Sequence, residues 1–242
     1  MSRVPGYEKK PNSYDEYQTT LEHKHKKIAR EELHEDDFSR DPAIAQMREF
    51  IAKHPQIQRC RTDVIFLLRF LRSAKFNIIT ACDTLEKYLI VGQLHPEFFT
   101  KFDELDMQNL IKTGAFVPIE KDRKDRLVVF FRMGCFDPKI LTPEKQVQLP
   151  IILLETYLYT EIYQITGLVV IYDLRDTKMA HYGTWTLPKL KILMNAINNS
   201  VVCRVKEVHV VQIPKIAAMV VDFCVAALSP KLQQRMKVRS LK

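Results

Sequence analysis

The sequence predicts an α/β fold: a mostly parallel sheet flanked by helices, preceded by a small all-α bundle at its N-terminal side. Three observations predict it. Residues 42–100 carry apolar positions at helical spacing, punctuated by capping residues and a Pro break. Three β-rich runs follow, at 126–132, 167–173 and 205–212. Segments of helix length, about 143–164 and 187–198, separate those runs, and parallel strands need such crossovers.

In chain order, residues 1–41 are dense in charge, with Glu22-His-Lys-His-Lys-Lys27 followed by Arg30-Glu-Glu-Leu-His-Glu-Asp-Asp37. They read as a charged arm, either a solvated helix or disordered. Asp41-Pro42 reads as a helix start, with Pro at the first helical position, and Met47, Phe50 and Ile51 continue it. Asp63 opens a second helix through Arg72, and Asn77 caps a third that runs to about Val91 before His95-Pro96 breaks it. The arm (1–41), the bundle (42–100) and a sheet-bearing domain (101–242) are the expected units. Gly167-Leu-Val-Val-Ile-Tyr-Asp173 is a near-continuous apolar run, as a strand covered on both faces requires. Alternation puts Leu168, Val170 and Tyr172 on one of those faces.

The chain has 242 residues and a net charge of +8, which invites a nucleic-acid reading until the charge is located. Residues 1–186 hold 27 Lys and Arg against 27 Asp and Glu, whereas residues 187–242 hold 10 against 2. That last quarter is also rich in aliphatic residues. A segment both basic and apolar suits an anionic membrane surface or a packed domain with one basic face, not a solvated nucleic-acid tail.

Other classes fall away for want of their residues. The sequence has no GxxxxGK[ST], GxGxxG, GxSxG or HExxH, and no Cys followed by Arg six positions on, so neither an enzyme nor a cofactor is expected. No catalytic residue and no metal site is assigned; His23 and His25 read as arm residues, and His181 and His209 as structural. The five cysteines, at 60, 82, 135, 203 and 224, are odd in number without CxxC spacing, which favours free thiols in a reducing cytosol. The polar N-terminus is no signal peptide. The longest apolar stretch, Ile216 to Leu228, spans 13 residues and is interrupted by Asp222, whereas a membrane span needs about 20. Membrane contact is therefore expected to be peripheral.

Asp63-Val-Ile-Phe-Leu-Leu-Arg-Phe-Leu-Arg-Ser-Ala-Lys-Phe76 is similar to the N-terminal helical signature of the CRAL-TRIO lipid-binding family. Cys135-Phe-Asp-Pro-Lys139 resembles its WDPK loop, and Gly167 through His181 resembles GxxxIxDxxGxxxxH. Pro188, Arg204-Val-Lys-Glu-Val-His209 and Pro214 continue the pattern in order, so the likeness runs from about 42 to 238. The branch it resembles is that of alpha-tocopherol transfer protein, retinaldehyde-binding protein and clavesin. The pattern departs in places: Asp176 stands at a family Gly, Gln212 at the usual Asn before Pro214, and Ala226-Ala-Leu228 at the family PFL. Relatives continue past the position of Lys242, so the domain is expected to be truncated at its C-terminal end.

The resemblance implies a cytosolic carrier for a hydrophobic small molecule (tocopherol-, retinoid- or phospholipid-like). The ligand would sit in an apolar cavity closed by a mobile gate helix. The apolar stretch from Pro214 to Leu228 fits that helix, since a helix apolar on nearly all sides is buried or lipid-facing. Pocket positions carried over are Val147, Pro150, Leu154, Leu168, Val170, Tyr172, Leu193, Ile197, Val201, Val208, Val220 and Phe223, residues that would serve equally as plain core. Four basic positions, Arg204, Lys206, Lys231 and Arg235, match the family's phosphoinositide contacts. Arg204 and Lys206 fall on one side of a strand end, and Lys231 and Arg235 are spaced i,i+4 for one helix face. The expected partners are the hydrophobic ligand and a phosphoinositide-bearing membrane, with no nucleic acid. The expected protein is monomeric, cytoplasmic and peripherally membrane-associated, on endosomes among other membranes. The alternative is a phosphoinositide-binding adaptor in endosomal trafficking whose ligand is structural or vestigial.

Overall fold

The computed structural model describes residues 17–100, 103–119, 121–199 and 202–240. Helices α1 (His23–Leu33), α2 (Asp37–Lys53), α3 (Val64–Ser73), α4 (Ile78–Leu94), α5 (Pro96–Phe99) and α6 (Glu104–Lys112) come first. Strands β1 (Phe116–Ile119) and β2 (Leu127–Arg132) precede α7 (Pro143–Tyr157) and α8 (Glu161–Thr166). Then come β3 (Leu168–Asp173), α9 (Met179–Gly183), α10 (Leu187–Asn199), β4 (Val205–Ile213), α11 (Ala218–Ala227), α12 (Pro230–Gln233) and β5 (Met236–Ser240). The sheet order is β1-β2-β3-β4-β5, antiparallel only between β1 and β2, so the fold is α/β with a mostly parallel sheet.

The caps explain most boundaries. Asp63 accepts a hydrogen bond from the Phe66 N–H, and Asn77 from the Thr80 N–H at 2.9 Å, as the sequence predicts. Helix α2 departs from expectation. It begins at Asp37, not at Asp41-Pro42, because Asp36 accepts from the N–H groups of Phe38 and Ser39 while the Ser39 hydroxyl accepts from the Asp36 N–H. Pro42 therefore lies inside the helix. The window 143–164 also differs: it is two helices, broken at Leu158, whose freed carbonyl accepts from the Gln164 side-chain amide at 2.7 Å. Strands β1 and β5 lie outside the runs that the sequence marks. The first is four residues long and contains Pro118; the second alternates apolar with basic side chains, Met236-Lys-Val-Arg-Ser240.

Residues in register across a sheet share a face. One face is thus formed by Phe116 and Pro118, by Leu127, Val129 and Phe131, by Leu168, Val170 and Tyr172, by Val208 and Val210, and by Met236 and Val238. It is wholly apolar, and α7 packs against it through Leu149, Leu153, Leu154 and Tyr157. The opposite face carries charge: Glu207 accepts from Arg126 at 2.7 Å, from Lys237 at 2.6 Å, and pairs with His209 at 3.1 Å. The Arg126 hydrogen bond leads in pulling its carboxyl down to about 2. Gly167 starts β3 at φ 89°, and a side-chain carbon there would sit 2.3 Å from the Arg204 carbonyl oxygen, so no larger residue fits. Asp176, in place of the family glycine, takes φ 61°, a left-handed conformation that Asp tolerates better than most residues.

The helical bundle has its own core, built on Met47, Ile51, Leu67, Leu68, Phe70, Leu71 and Leu85. It is joined to the sheet by a buried ionic cluster. Arg72 is 0% exposed; it donates to both oxygens of Glu35 at 2.7 and 2.8 Å, to Glu161 at 3.0 Å and to the Gln164 oxygen at 2.9 Å. Glu161 also accepts from the Tyr17 hydroxyl and from the Thr20 N–H at 2.8 Å. Burial pushes the Glu161 carboxyl up, but the Arg72 charge and the Tyr17 and Thr20 hydrogen bonds outweigh it and hold the group below the ordinary carboxylate range.

Removing one partner of a buried charge cluster leaves the others uncompensated, so Arg72→Met is expected to cost about 3–5 kcal/mol at pH 7 by urea unfolding. The pH dependence carries the sign. In the wild type the folded-state Glu161 pKa lies below the unfolded value, so its contribution persists above about pH 4 and is lost only below it. In Arg72→Met the Glu161 carboxylate keeps its burial but loses the Arg72 charge, so its folded-state pKa rises above the unfolded one and the deficit narrows as pH falls from 7 toward 5. A deficit that stays constant over that window would show that this carboxylate is not desolvated.

Candidate functional site: an apolar sheet face, a capping helix and a basic cluster

The middle of the apolar sheet face is only partly covered. Val170 and Tyr172 in the central strand, and Val208 beside them, are half-buried, whereas a central strand packed on both sides would hide them. The expected pocket positions on the helices are half-buried as well: Pro150 and Leu154 on α7, Leu193 and Ile197 on α10, and Val220 on α11. Val147 and Leu168 are fully buried, Phe223 lies at the surface with 38% exposure, and Val201 falls outside the described residues. Burial pushes up the Tyr172 phenol, with Cys224 of α11 adding to the effect, and it pushes the Cys203 thiol up to about 12. So apolar groups of the sheet, α7 and α11 meet on this face.

Helix α11 lies across this region with none of its residues fully buried. Its inward side is Val221 and Cys224: Val221 packs in the cluster with Val208, Val210 and Tyr172, and Cys224 bears on the Tyr172 phenol. Of the two positions that the resemblance carried over to this helix, Val220 is half-buried beside them and Phe223 is exposed. Outside, Met219 is 83% exposed. A Pro214-initiated 3₁₀ turn leads into the helix, and Gln212, at φ 56° just before it, marks a bulge in β4. At the other end Asn198 of α10 holds two backbone groups, donating to the Ala227 carbonyl at 2.9 Å and accepting from the Ser229 N–H at 2.8 Å.

Beside the far end of α11 sits the basic cluster. Arg204 precedes β4, and Lys206 is the extra residue of a bulge at the start of β4 against β3. Lys231 lies on α12. Arg235 follows α12 in the turn before β5, so it is not on the same helix face as Lys231 as the i,i+4 spacing suggested; the helix is a single turn. The turn nevertheless brings the four together. The Lys231 ammonium is depressed by burial and by the charges of Arg235, Lys75 and Arg204. Lys206 is depressed by burial and by Arg204, with Arg235 adding. Arg204 and Arg235 spend one donor each on backbone carbonyls, Ile165 and Val205 respectively, which fixes their guanidinium groups. Lys75, at the end of α3 with φ 52°, is a member that sequence reading missed, since it lies more than a hundred residues away in the chain.

His181 is buried; its two ring nitrogens lie 2.9 Å from the Lys178 backbone nitrogen and 3.1 Å from the Phe136 carbonyl oxygen, a structural role. All five cysteines are free. Among the described residues no helix is long and apolar enough to cross a membrane, and no metal-binding cluster of His, Cys, Asp and Glu occurs.

The chain is 26% identical over 192 residues to alpha-tocopherol transfer protein-like of Homo sapiens, covering 78% of this chain and 55% of that protein. It is 27% identical over 186 residues to clavesin-1 of Xenopus laevis, covering 76% and 56%. The chain thus spans little more than half the length of these curated relatives. A solved structure, described as the crystal structure of Sfh5, aligns over 92% of this chain and 82% of its own with a TM-score of 0.49 and 10% identity. The CRAL/TRIO domain model matches residues 111–241, from the end of α6 through β5, and so takes in every strand, the capping helix and all four predicted basic positions. With more than half of its length matched in this way, the protein belongs to the CRAL/TRIO family.

Proposed function

We propose that this protein is a non-enzymatic carrier that holds a hydrophobic small molecule between the apolar sheet face and helices α7, α10 and α11, and exchanges it at phosphoinositide-bearing membranes. The observation that carries the reading is the incompletely covered apolar centre of a five-stranded sheet, capped by a helix with no fully buried residue. An apolar surface of that kind gains about 25 cal/mol for each Å² that a lipid-like ligand covers. The basic cluster at the end of the cap supports the membrane half of the reading. Each cation near an anionic leaflet contributes about 1 kcal/mol of attraction. Docking would bring Met219 and Phe223, exposed on α11, to the lipid interface, where the helix swings aside and the ligand passes. The hydrophobic relatives' ligand suggested by the name alpha-tocopherol transfer protein-like fits the apolar chemistry of this face without fixing the cargo.

Three tests follow from the geometry. Lys231→Glu with Arg235→Glu should abolish vesicle-stimulated transfer of a fluorescent lipid while leaving ligand binding in solution intact; transfer at the wild-type rate would sink the docking mechanism. Asn198→Ala removes both clamps on the end of α11 and should speed ligand exchange severalfold in stopped-flow fluorescence; an unchanged rate would mean that α11 does not gate. Native mass spectrometry with lipid extraction should find a stoichiometric hydrophobic ligand. An empty protein that still binds vesicles head-group-selectively would favour the adaptor reading over the carrier.

A further inference from the structure

The basic cluster is already occupied by a side chain of the protein itself. Glu32, near the end of α1, places one carboxylate oxygen 2.6 Å from the Arg204 guanidinium and 3.2 Å from the Lys206 ammonium. It is half-exposed, and the Arg204 hydrogen bond leads in holding its carboxyl below the ordinary range. Five cations (Lys75, Arg204, Lys206, Lys231 and Arg235) are in electrostatic reach of one another. Among the described residues Glu32 is the one carboxylate paired with any of them, and Lys231 has no hydrogen-bonded or ion-paired partner. The contact joins α1 to the start of β4, segments about 170 residues apart, so it is no accident of local sequence.

We infer that Glu32 is a built-in competitor that sets the charge threshold of this cluster, so that a multiply phosphorylated lipid head group displaces its carboxylate whereas a singly charged head group does not. This rests on the reading of the cluster as a head-group site. The physical basis is effective concentration: a tethered carboxylate competes as if present at high local concentration, so a ligand of equal charge gains little by replacing it. A head group with several phosphate charges engages the pair that Glu32 holds and also the cations that it leaves unpaired, Lys231 and Lys75. Lys75 thereby becomes a fifth contact, contributed by the helical bundle.

Co-sedimentation with phosphatidylcholine vesicles carrying either phosphatidylserine or phosphatidylinositol bisphosphate, matched in total charge, tests this directly. The wild type should prefer the bisphosphate vesicles. Glu32→Gln should raise affinity for the phosphatidylserine vesicles about three- to tenfold, the worth of one or two partly exposed ion pairs, and narrow the preference. Glu32→Asp, which keeps the charge but retracts it, should give an intermediate ratio, and Lys75→Ala should weaken only the bisphosphate binding. A preference unchanged or widened in Glu32→Gln overturns the inference. The control is Lys231→Glu. If it abolishes bisphosphate binding while Glu32→Gln leaves the ratio as it was, the head-group site stands and the threshold fails. If Lys231→Glu changes nothing, the head-group reading fails and the threshold with it.

Discussion

A single buried cation ties the helical bundle to the sheet-bearing part of the molecule. Arg72 has no exposed surface, and its four hydrogen bonds go to Glu35 just past α1, and to Glu161 and Gln164 on α8. The partners come from two distant segments, so the guanidinium fork ties α3 to the end of the α1 segment and to α8. A planar, always-charged group with several donors suits this role; a lysine could not hold two carboxylates in the same geometry. The energetic case for such a cluster is not that it adds much stability, since an apolar replacement of all members could do as well. Its value lies in register: α1 and α8 can meet α3 in one way only. That placement carries α1 to β4, where Glu32 meets Arg204 and Lys206.

The second seam between bundle and sheet is Arg69, buried at 4% exposure. It donates to Glu155 of α7 at 2.7 Å and lies over the rings of Phe66, Phe70 and Tyr88 at 4.6, 5.2 and 5.0 Å. The aromatic faces compensate a charge that has few hydrogen-bond acceptors nearby. Arg69 and Arg72 lie three positions apart on α3, so one short helix anchors both α7 and α8 and thereby sets one wall of the apolar region. That wall is anchored by buried ion pairs, while the cap, α11, has no fully buried residue and is held by Val221 packing, a 3₁₀ turn at one end and Asn198 at the other. Rigid walls with one lightly held side are what an exchangeable apolar site needs.

Much of this was legible in the sequence, and the exceptions have physical causes. The strands β2, β3 and β4 announced themselves because buried parallel strands are continuous apolar runs. Asp63 and Asn77 were legible as caps because their side chains satisfy local N–H groups. The start of α2 was missed because two signals competed: Asp41-Pro42 has the right chemistry, but the Asp36–Ser39 capping box acts earlier in the chain. Strands β1 and β5 were too short for periodicity to register. Within the candidate site, the four basic positions were found from motif order, but Lys75 and Glu32 were not. Glu32 lies in the arm that read as solvated charge and Lys75 in the bundle, each more than a hundred residues from β4, and the Arg72 cluster ties both segments to the sheet.

The two outer strands have a consequence for how this protein behaves at high concentration. An open sheet offers unpaired backbone groups along each edge, which can template a strand from another molecule. Here β1 carries Pro118, which lacks the N–H that such pairing would use, and β5 alternates Lys237 and Arg239 with its apolar residues. A second copy of this chain pairing through the same edge would bring like charges together or desolvate them. Proline at one edge and alternating basic residues at the other thus disfavour extension of the sheet by a further strand.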